Sequence, residues 1–215
     1  MSHSTTHHET TDTPRFSFVR NLRAADGLTF ANGLGGAASI LATLGYVADP
    51  RPARLLVALA FFPFCLAMDF FDGRVARARA EHSPFGGELD SLADAVAFGV
   101  APAVAGWAAG LRGAADVVAL LFFVGCAIGR LARYGATAGE LADQNGKVRY
   151  FEGVPVTGSG LLVATLALCA LTDRLGDRLP LGASALGPIS WHPIALAYVA
   201  VGMAMISKRL RVPKP

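Results

Sequence analysis

The chain has 215 residues, 53% of them apolar and 16% charged, with a formal net charge of +3 and a mean hydropathy of +0.45. Ordinary soluble domains carry about 25% charged residues, so this composition excludes a disordered chain, a collagen and a disulfide-stapled secreted mini-protein, and it argues against a soluble globular domain. The small net charge also excludes a strongly basic nucleic-acid binder, and no nucleic-acid partner is expected.

Residues 1–14 are polar and carry three of the five histidines, which predicts a solvated tail. The apolar stretch of a cleavable signal peptide is absent from this start, so none is expected. Residues 15–26 (RFSFVRNLRAAD) are basic and amphipathic and predict a short helix lying on an anionic membrane surface. About 20 apolar residues cross ~30 Å of hydrocarbon as a helix. Six segments meet that length approximately: 28–48, 54–72, 90–109, 115–134, 156–172 and 185–207, the fifth being the shortest. The expected fold is therefore all-α, a polytopic membrane protein with one six-helix domain over 15–215. Cys65, Cys126 and Cys169 lie inside these runs and are expected to be reduced and structural. Trp107 and Trp191 near span ends read as interface anchors. Gly33, Gly35 and Gly36 read as a close-packing face.

Six spans place both termini on one side. Of the 19 Lys and Arg, that side receives all but Arg51, Arg54, Arg112, Arg174 and Arg178. The positive-inside rule then puts both termini and the loops 73–89 and 135–155 in the cytoplasm. An integral protein of the cell (inner) membrane is expected.

The second predicted span ends in Met68-Asp69-Phe70-Phe71-Asp72-Gly73, and the third begins Glu88-Leu89-Asp90-Ser91-Leu92-Ala93-Asp94. An aspartate at the bilayer centre costs roughly 2.5–3.5 kcal/mol on insertion scales, less near the interface. Asp69 and Asp72 are i, i+3 and share one helix face; Asp90 and Asp94 are i, i+4 and share another. The connection between the spans lets the two faces meet at one depth near the cytoplasmic surface. Two divalent cations would balance the four charges. Oxygen-only ligands select hard ions, Mg²⁺ or Mn²⁺, and a paired-metal carboxylate site suits in-line displacement at phosphorus. Gly73 and Gly86 allow close approach of the backbone to a ligand, and Arg77 can reach a phosphate bidentately. The set is suited to a diphosphate.

Read continuously, the residues are Asp69-x2-Asp72-Gly73-x2-Ala76-Arg77-x8-Gly86-x3-Asp90-x3-Asp94. This pattern resembles, at every fixed position, the signature of the CDP-alcohol phosphotransferase family, and the six-span layout is similar too. The resemblance implies that Asp69, Asp72 and Asp90 ligate metal, and that Asp94 completes a second metal site and acts as general base. It implies that Gly73, Ala76, Arg77 and Gly86 line the CDP site, with Ser83 as a phosphate contact. By analogy alone, Asn32 and Gly33 of the first span face that pocket, joined by Thr29 one turn earlier. Homodimerisation is likewise implied by the resemblance.

The run Glu88–Ala103, together with Arg130-Leu131-Ala132-Arg133-Tyr134 and Gly146-Lys147-Val148-Arg149-Tyr150-Phe151-Glu152-Gly153-Val154-Pro155, resembles the membrane-embedded (type II) phosphatidylserine synthases of that family. Gly135 departs from the subfamily, which commonly has Asn there. The implied substrates are CDP-diacylglycerol and L-serine, in a lipid bilayer. Serine is a zwitterion, so its pocket needs a cation for the carboxylate and an acceptor for the ammonium. Arg130, Arg133, Lys147 and Arg149 supply cations and Glu152 an acceptor, without individual assignment. Two alternatives stand beside this reading. One is the same chemistry on glycerol 3-phosphate, inositol phosphate or another alcohol. The other is a divalent-cation transporter, which predicts acids through the full membrane depth, whereas here they cluster at one level.

Overall fold

The computed structural model describes residues 24–78, 84–137, 150–186, 189–207 and 211–213. The N-terminal tail, most of the predicted surface helix, Ser83, Lys147 and Arg149 lie outside the described residues. In chain order the elements are α1 (Ala24–Ala48), α2 (Pro52–Ala78), α3 (Pro84–Asp94), a π-helical turn (Ala95–Val100), α4 (Ala101–Ala109) and α5 (Ala114–Thr137). There follow β1 (Tyr150–Glu152), a 3₁₀ turn (Val156–Ser159), α6 (Gly160–Leu171), β2 (Ser184–Leu186), β3 (Ile189–Trp191), α7 (Ala195–Ile206) and β4 (Arg211–Pro213). The architecture is all-α, with two short antiparallel ladders, β1 with β4 and β2 with β3.

Among the described residues, four helices are long and apolar enough to cross a membrane: Ala25–Ala48, Pro52–Ala78, Phe85–Ala109 and Ala114–Ala136. The third is one rod made of α3, the π turn and α4. Two apolar helices are shorter, Val156–Leu171 and Ala195–Ile206. The predicted sixth span, 185–207, is not one helix. Its first part folds back as the β2–β3 hairpin, with Ser184 opposite Trp191 and Leu186 opposite Ile189. Helix starts only after Pro193, which lacks a backbone N–H and is tolerated in a first turn but not in a helix interior. The predicted second and third spans also stop short of their helices. Hydropathy marks the hydrocarbon-facing part, while α2 continues into the Arg-rich interface as far as Ala78. Asp69, Asp72 and Asp90 therefore sit inside helices, and Asp94 is the last residue of α3, where the rod continues into the π turn.

Small residues set the packing. A Cβ at Gly36 would lie 2.7 Å from the Ala97 Cα, and one at Gly33 3.3 Å from the Ala93 Cβ. Thus α1 runs against the α3–π–α4 rod at near-backbone contact, as small-residue faces permit in membranes. On its other side α1 meets α2, where Ser39 Oγ donates to the Ala58 carbonyl at 2.8 Å. The rod rests against α5 at Gly99, where a Cβ would lie 3.3 Å from the Ala127 Cβ. Phe123 of α5 packs edge-on to Tyr198 of α7, with centroids 5.5 Å apart. Phe98, Leu111, Leu162 and Met205 complete that core, and Leu55, Leu59, Ala109 and Leu166 form a second. Leu34, Leu41, Leu121, Leu161 and Leu168 project outward, as a lipid-facing surface requires.

At the end of the rod remote from the acids, Asp116 is completely buried. It accepts from the backbone N–H of His192 at 2.7 Å and of Gly113 at 3.0 Å, and it pairs with His192 Nδ1 at 2.7 Å. This carboxylate ties the β3–α7 junction to the start of α5. Asp116→Ala is expected to lower stability by about 1–3 kcal/mol for each buried donor it leaves unsatisfied, the His192 N–H and Nδ1 first among them. Thermal unfolding of the detergent-solubilised protein measures it, and an unchanged midpoint would refute the role.

Candidate active site

Asp69 and Asp72 lie in the C-terminal part of α2, and Asp90 and Asp94 in the second half of α3. Within each helix the spacing puts the pair on one face. The fold then turns the two faces toward each other, so that carboxylate oxygens of Asp69, Asp72 and Asp90 all lie within 4.8 Å of one another. Asp94 stands outside this trio, one turn further along its helix, and is 7% exposed. It directly precedes the π turn, where the Ala101 N–H bonds back to the Val96 carbonyl. Such turns widen a helix locally and recur at functional sites.

Helix α1 supplies the polar groups behind the acids. Thr29 Oγ donates to Asp72 Oδ2 at 2.9 Å, and Asn32 Nδ2 donates to Asp94 Oδ1 at 3.0 Å. Thr29 and Asn32 are 4% and 0% exposed. Of the residues predicted by analogy to face the pocket, these two reach the acids, while Gly33 lies against Ala93. Their signal in the sequence is a Thr and an Asn one turn apart in a mainly apolar span that also holds Ser39 and Thr43.

On the other flank, a Cβ at Gly73 would lie 3.4 Å from Arg77 Nη1. The Arg77 guanidinium therefore lies across the open backbone that follows Asp72, and its charge acts on Asp72. Ala76 and Gly86 are half-buried nearby in sequence, and Arg77 is exposed. The predicted acceptor residues separate. Arg130 is 8% exposed, lies within electrostatic reach of Asp94, and has a buried Nε without a partner. Arg133 instead donates Nη1 to the Ile206 carbonyl at 3.0 Å, which ties α5 to the end of α7. The Glu152 backbone pairs with Arg211 in the β1–β4 ladder, and its side chain lies outside the described residues. Ser159 in the 3₁₀ turn, which the sequence does not single out, is fully buried with an unpartnered Oγ. Nothing in its local sequence distinguishes it from a helix-packing serine.

Three clustered carboxylates repel one another, and the buried Asp90 Oδ1 has no hydrogen-bond partner. Both facts fit a cation held by Asp69, Asp72 and Asp90, and the all-oxygen donor set fits a hard divalent ion.

A family model described as CDP-alcohol phosphatidyltransferase matches residues 22–208. The chain belongs to that family. Among curated relatives, it is 42% identical over 209 residues to the CDP-diacylglycerol–serine O-phosphatidyltransferase of Saccharomyces cerevisiae, covering 96% of this chain and 76% of that protein. It is 37% identical over 129 residues to the protein of that name from Mycobacterium leprae, covering 60% of this chain and 41% of the relative. With the protein of that name from Methanocaldococcus jannaschii it shares 34% over 121 residues, 56% of this chain and 54% of the relative. The acids, Gly73 and Arg77 all fall within the matched family region. In this CDP-alcohol phosphatidyltransferase, then, the divalent-metal chemistry general to the family has a carboxylate trio to serve it.

Proposed function

We propose that the protein transfers the phosphatidyl group of CDP-diacylglycerol to L-serine, giving phosphatidylserine and CMP. The observation that carries this is the trio of Asp69, Asp72 and Asp90 within 4.8 Å, beside Gly73 and Arg77 and with Asp94 one turn away. The names of the relatives support serine as the acceptor.

Asp69, Asp72 and Asp90 would hold one divalent cation, and Asp94 would complete the ligand set of a second. Bound Mg²⁺ or Mn²⁺ supplies Lewis-acid neutralisation of the diphosphate and of the leaving CMP. Gly73, Ala76, Arg77, Ser83 and Gly86 form the CDP side, with the Arg77 fork on a phosphate oxygen. The serine hydroxyl attacks the β-phosphorus, the phosphorus that bears diacylglycerol. A new P–O bond forms to serine, and the bridging P–O bond breaks with its electron pair leaving on CMP. Asp94 takes the hydroxyl proton. A carboxylate is a weak base toward an alcohol, so the proton moves as the P–O bond forms. The buried guanidinium of Arg130, with its free Nε, is suited to the serine carboxylate; Lys147, Arg149 and Glu152 complete the acceptor side.

In this reading the chain is a single domain over 15–215 that crosses the inner membrane six times. Both termini and the site face the cytoplasm, and two copies form a homodimer. Local neutralisation of the opposite surface supports this orientation. Arg51 and Arg54 pair with Asp49 at 3.1 and 3.0 Å, Arg178 pairs with Asp173 at 2.8 Å, and Arg112 lies 4.8 Å from the Trp107 ring centroid.

The test supplies purified full-length protein with CDP-diacylglycerol, Mn²⁺ and labelled serine. CMP release that depends on serine, with label appearing in lipid, is the expected result. Release on glycerol 3-phosphate or inositol phosphate, but not on serine, would reassign the acceptor.

A further inference from the structure

Resting on that reading, we propose that Thr29 and Asn32 are positioning residues that divide the acidic cluster into two jobs. Thr29 holds Asp72 for the cation, and Asn32 holds Asp94 for the proton. The two side chains sit at i and i+3 on α1, about 4.5 Å apart along the axis at 1.5 Å per residue. They address different helices, since Asp72 belongs to α2 and Asp94 to α3. One turn of α1 thus spans the gap between the two carboxylate-bearing helices.

The turn cannot slide. A Cβ at Gly36, one turn beyond Asn32, would lie 2.7 Å from the Ala97 Cα, and one at Gly33 would lie 3.3 Å from the Ala93 Cβ. On the α2 side, Cys65 Sγ donates to the Asn32 carbonyl at 3.4 Å.

The hydrogen-bond chemistry fixes which atom faces which. A carboxylate only accepts, so the Asn32 amide must present Nδ2 to Asp94. Turning the amide over would set oxygen against oxygen. That orientation leaves Asn32 Oδ1 buried and unpartnered, which the amide tolerates because the charge-assisted bond is the stronger one. The single Thr29 hydroxyl hydrogen lies within reach of Asp72 Oδ2 at 2.9 Å and of the Ala25 carbonyl at 3.1 Å; the charged acceptor is the closer. With Oδ1 of Asp94 occupied by the Asn32 N–H, Oδ2 is left for the acceptor hydroxyl. The bond also holds Asp94 apart from the trio of Asp69, Asp72 and Asp90. The alternative for Thr29 and Asn32 is direct contact with the nucleotide.

Thr29→Val and Asn32→Leu separate these possibilities, because the two residues act through different carboxylates. Two readouts are needed: Mn²⁺ binding to the purified protein without substrate, and kcat with KM for CDP-diacylglycerol. Thr29→Val is expected to weaken Mn²⁺ binding by about 10–100-fold, the usual effect of losing a hydrogen bond to a metal ligand, with kcat recovered at saturating Mn²⁺. Asn32→Leu is expected to lower kcat by about 100-fold, the scale of a 1 Å misplacement of a reacting group, with KM and Mn²⁺ binding at the Asp69, Asp72 and Asp90 trio unchanged. Thr29→Ser restores the hydroxyl and should rescue the Mn²⁺ binding lost in Thr29→Val. Should Asn32→Leu fail to fold, Asn32→Ser is smaller, cannot reach Asp94, and must show the same kcat loss. Parallel loss of Mn²⁺ binding and turnover in both variants would overturn the division of labour. So would a rise in KM for CDP-diacylglycerol alone, which marks nucleotide contact. If the wild type uses another alcohol, the kinetic arm is read on that alcohol. If it transfers to none, the proposed function fails, and the substrate-free Mn²⁺ arm still decides the Thr29 half.

Discussion

Asp94→Asn is expected to lower kcat by about 10²–10⁴-fold, the range of a positioned general base, while the protein folds normally. The shape of the side chain is kept. Asn32 bonds to Asp94 at 3.0 Å, and its own Oδ1 is unpartnered. When residue 94 becomes an amide, Asn32 can turn over and offer Oδ1 to the new N–H. The buried hydrogen bond survives in reversed polarity, and only the basic oxygen is lost. Because the Asp69, Asp72 and Asp90 trio is untouched, Mn²⁺ binding at that trio should persist. CMP release and thermal unfolding, measured on the same preparation, check both halves. Turnover at the wild-type rate would remove Asp94 as the base.

Asp69→Ala should have its largest effect on metal dependence. The residue supplies one of three carboxylates within 4.8 Å, and its loss should raise the Mn²⁺ concentration for half-maximal activity by roughly 100-fold or more, beyond the 10–100-fold of an outer-shell change. Stability should move in two directions. Without metal the wild type suffers repulsion among three buried or half-buried acids, so removing one raises the unfolding temperature. With metal the order reverses, because a ligand at 100 times its Kd stabilises the folded state by about 2.7 kcal/mol. The variant loses that gain. Melting curves with and without Mn²⁺ measure both signs, and an unchanged metal titration would refute the ligand role of Asp69.

The acids were legible in the sequence because they are expensive where they stand. A carboxylate in an apolar span demands compensation, and i, i+3 and i, i+4 spacing already assigns each pair to a face. The α1 contribution was legible only by analogy. Thr29 and Asn32 are two of several polar residues in a mainly apolar helix that also carries Asp26, Ser39 and Thr43, and spacing does not reveal that one reaches Asp72 and the other Asp94. Arg130 and Arg133 look alike in sequence, yet the first is buried with a free Nε and the second caps α7 through Ile206. The expected helix over 185–207 fails for a related reason. Apolar composition marks burial in lipid or protein equally well, and it does not separate a helix from the hairpin that precedes Pro193.

By itself, the sequence determined the acids, their shared faces, the apolar segments and the asymmetry of the cations. These are properties of one helix or of a count, and the 1.5 Å rise and 3.6-residue turn make them local. Only the tertiary structure decided which faces meet. It brought three acids together and left Asp94 outside them, set α1 behind both pairs, and gave Asp116 to His192 at the opposite end. Those choices depend on how closely helices approach, which Gly33, Gly36, Ala93 and Ala97 settle through contacts between residues some 60 positions apart.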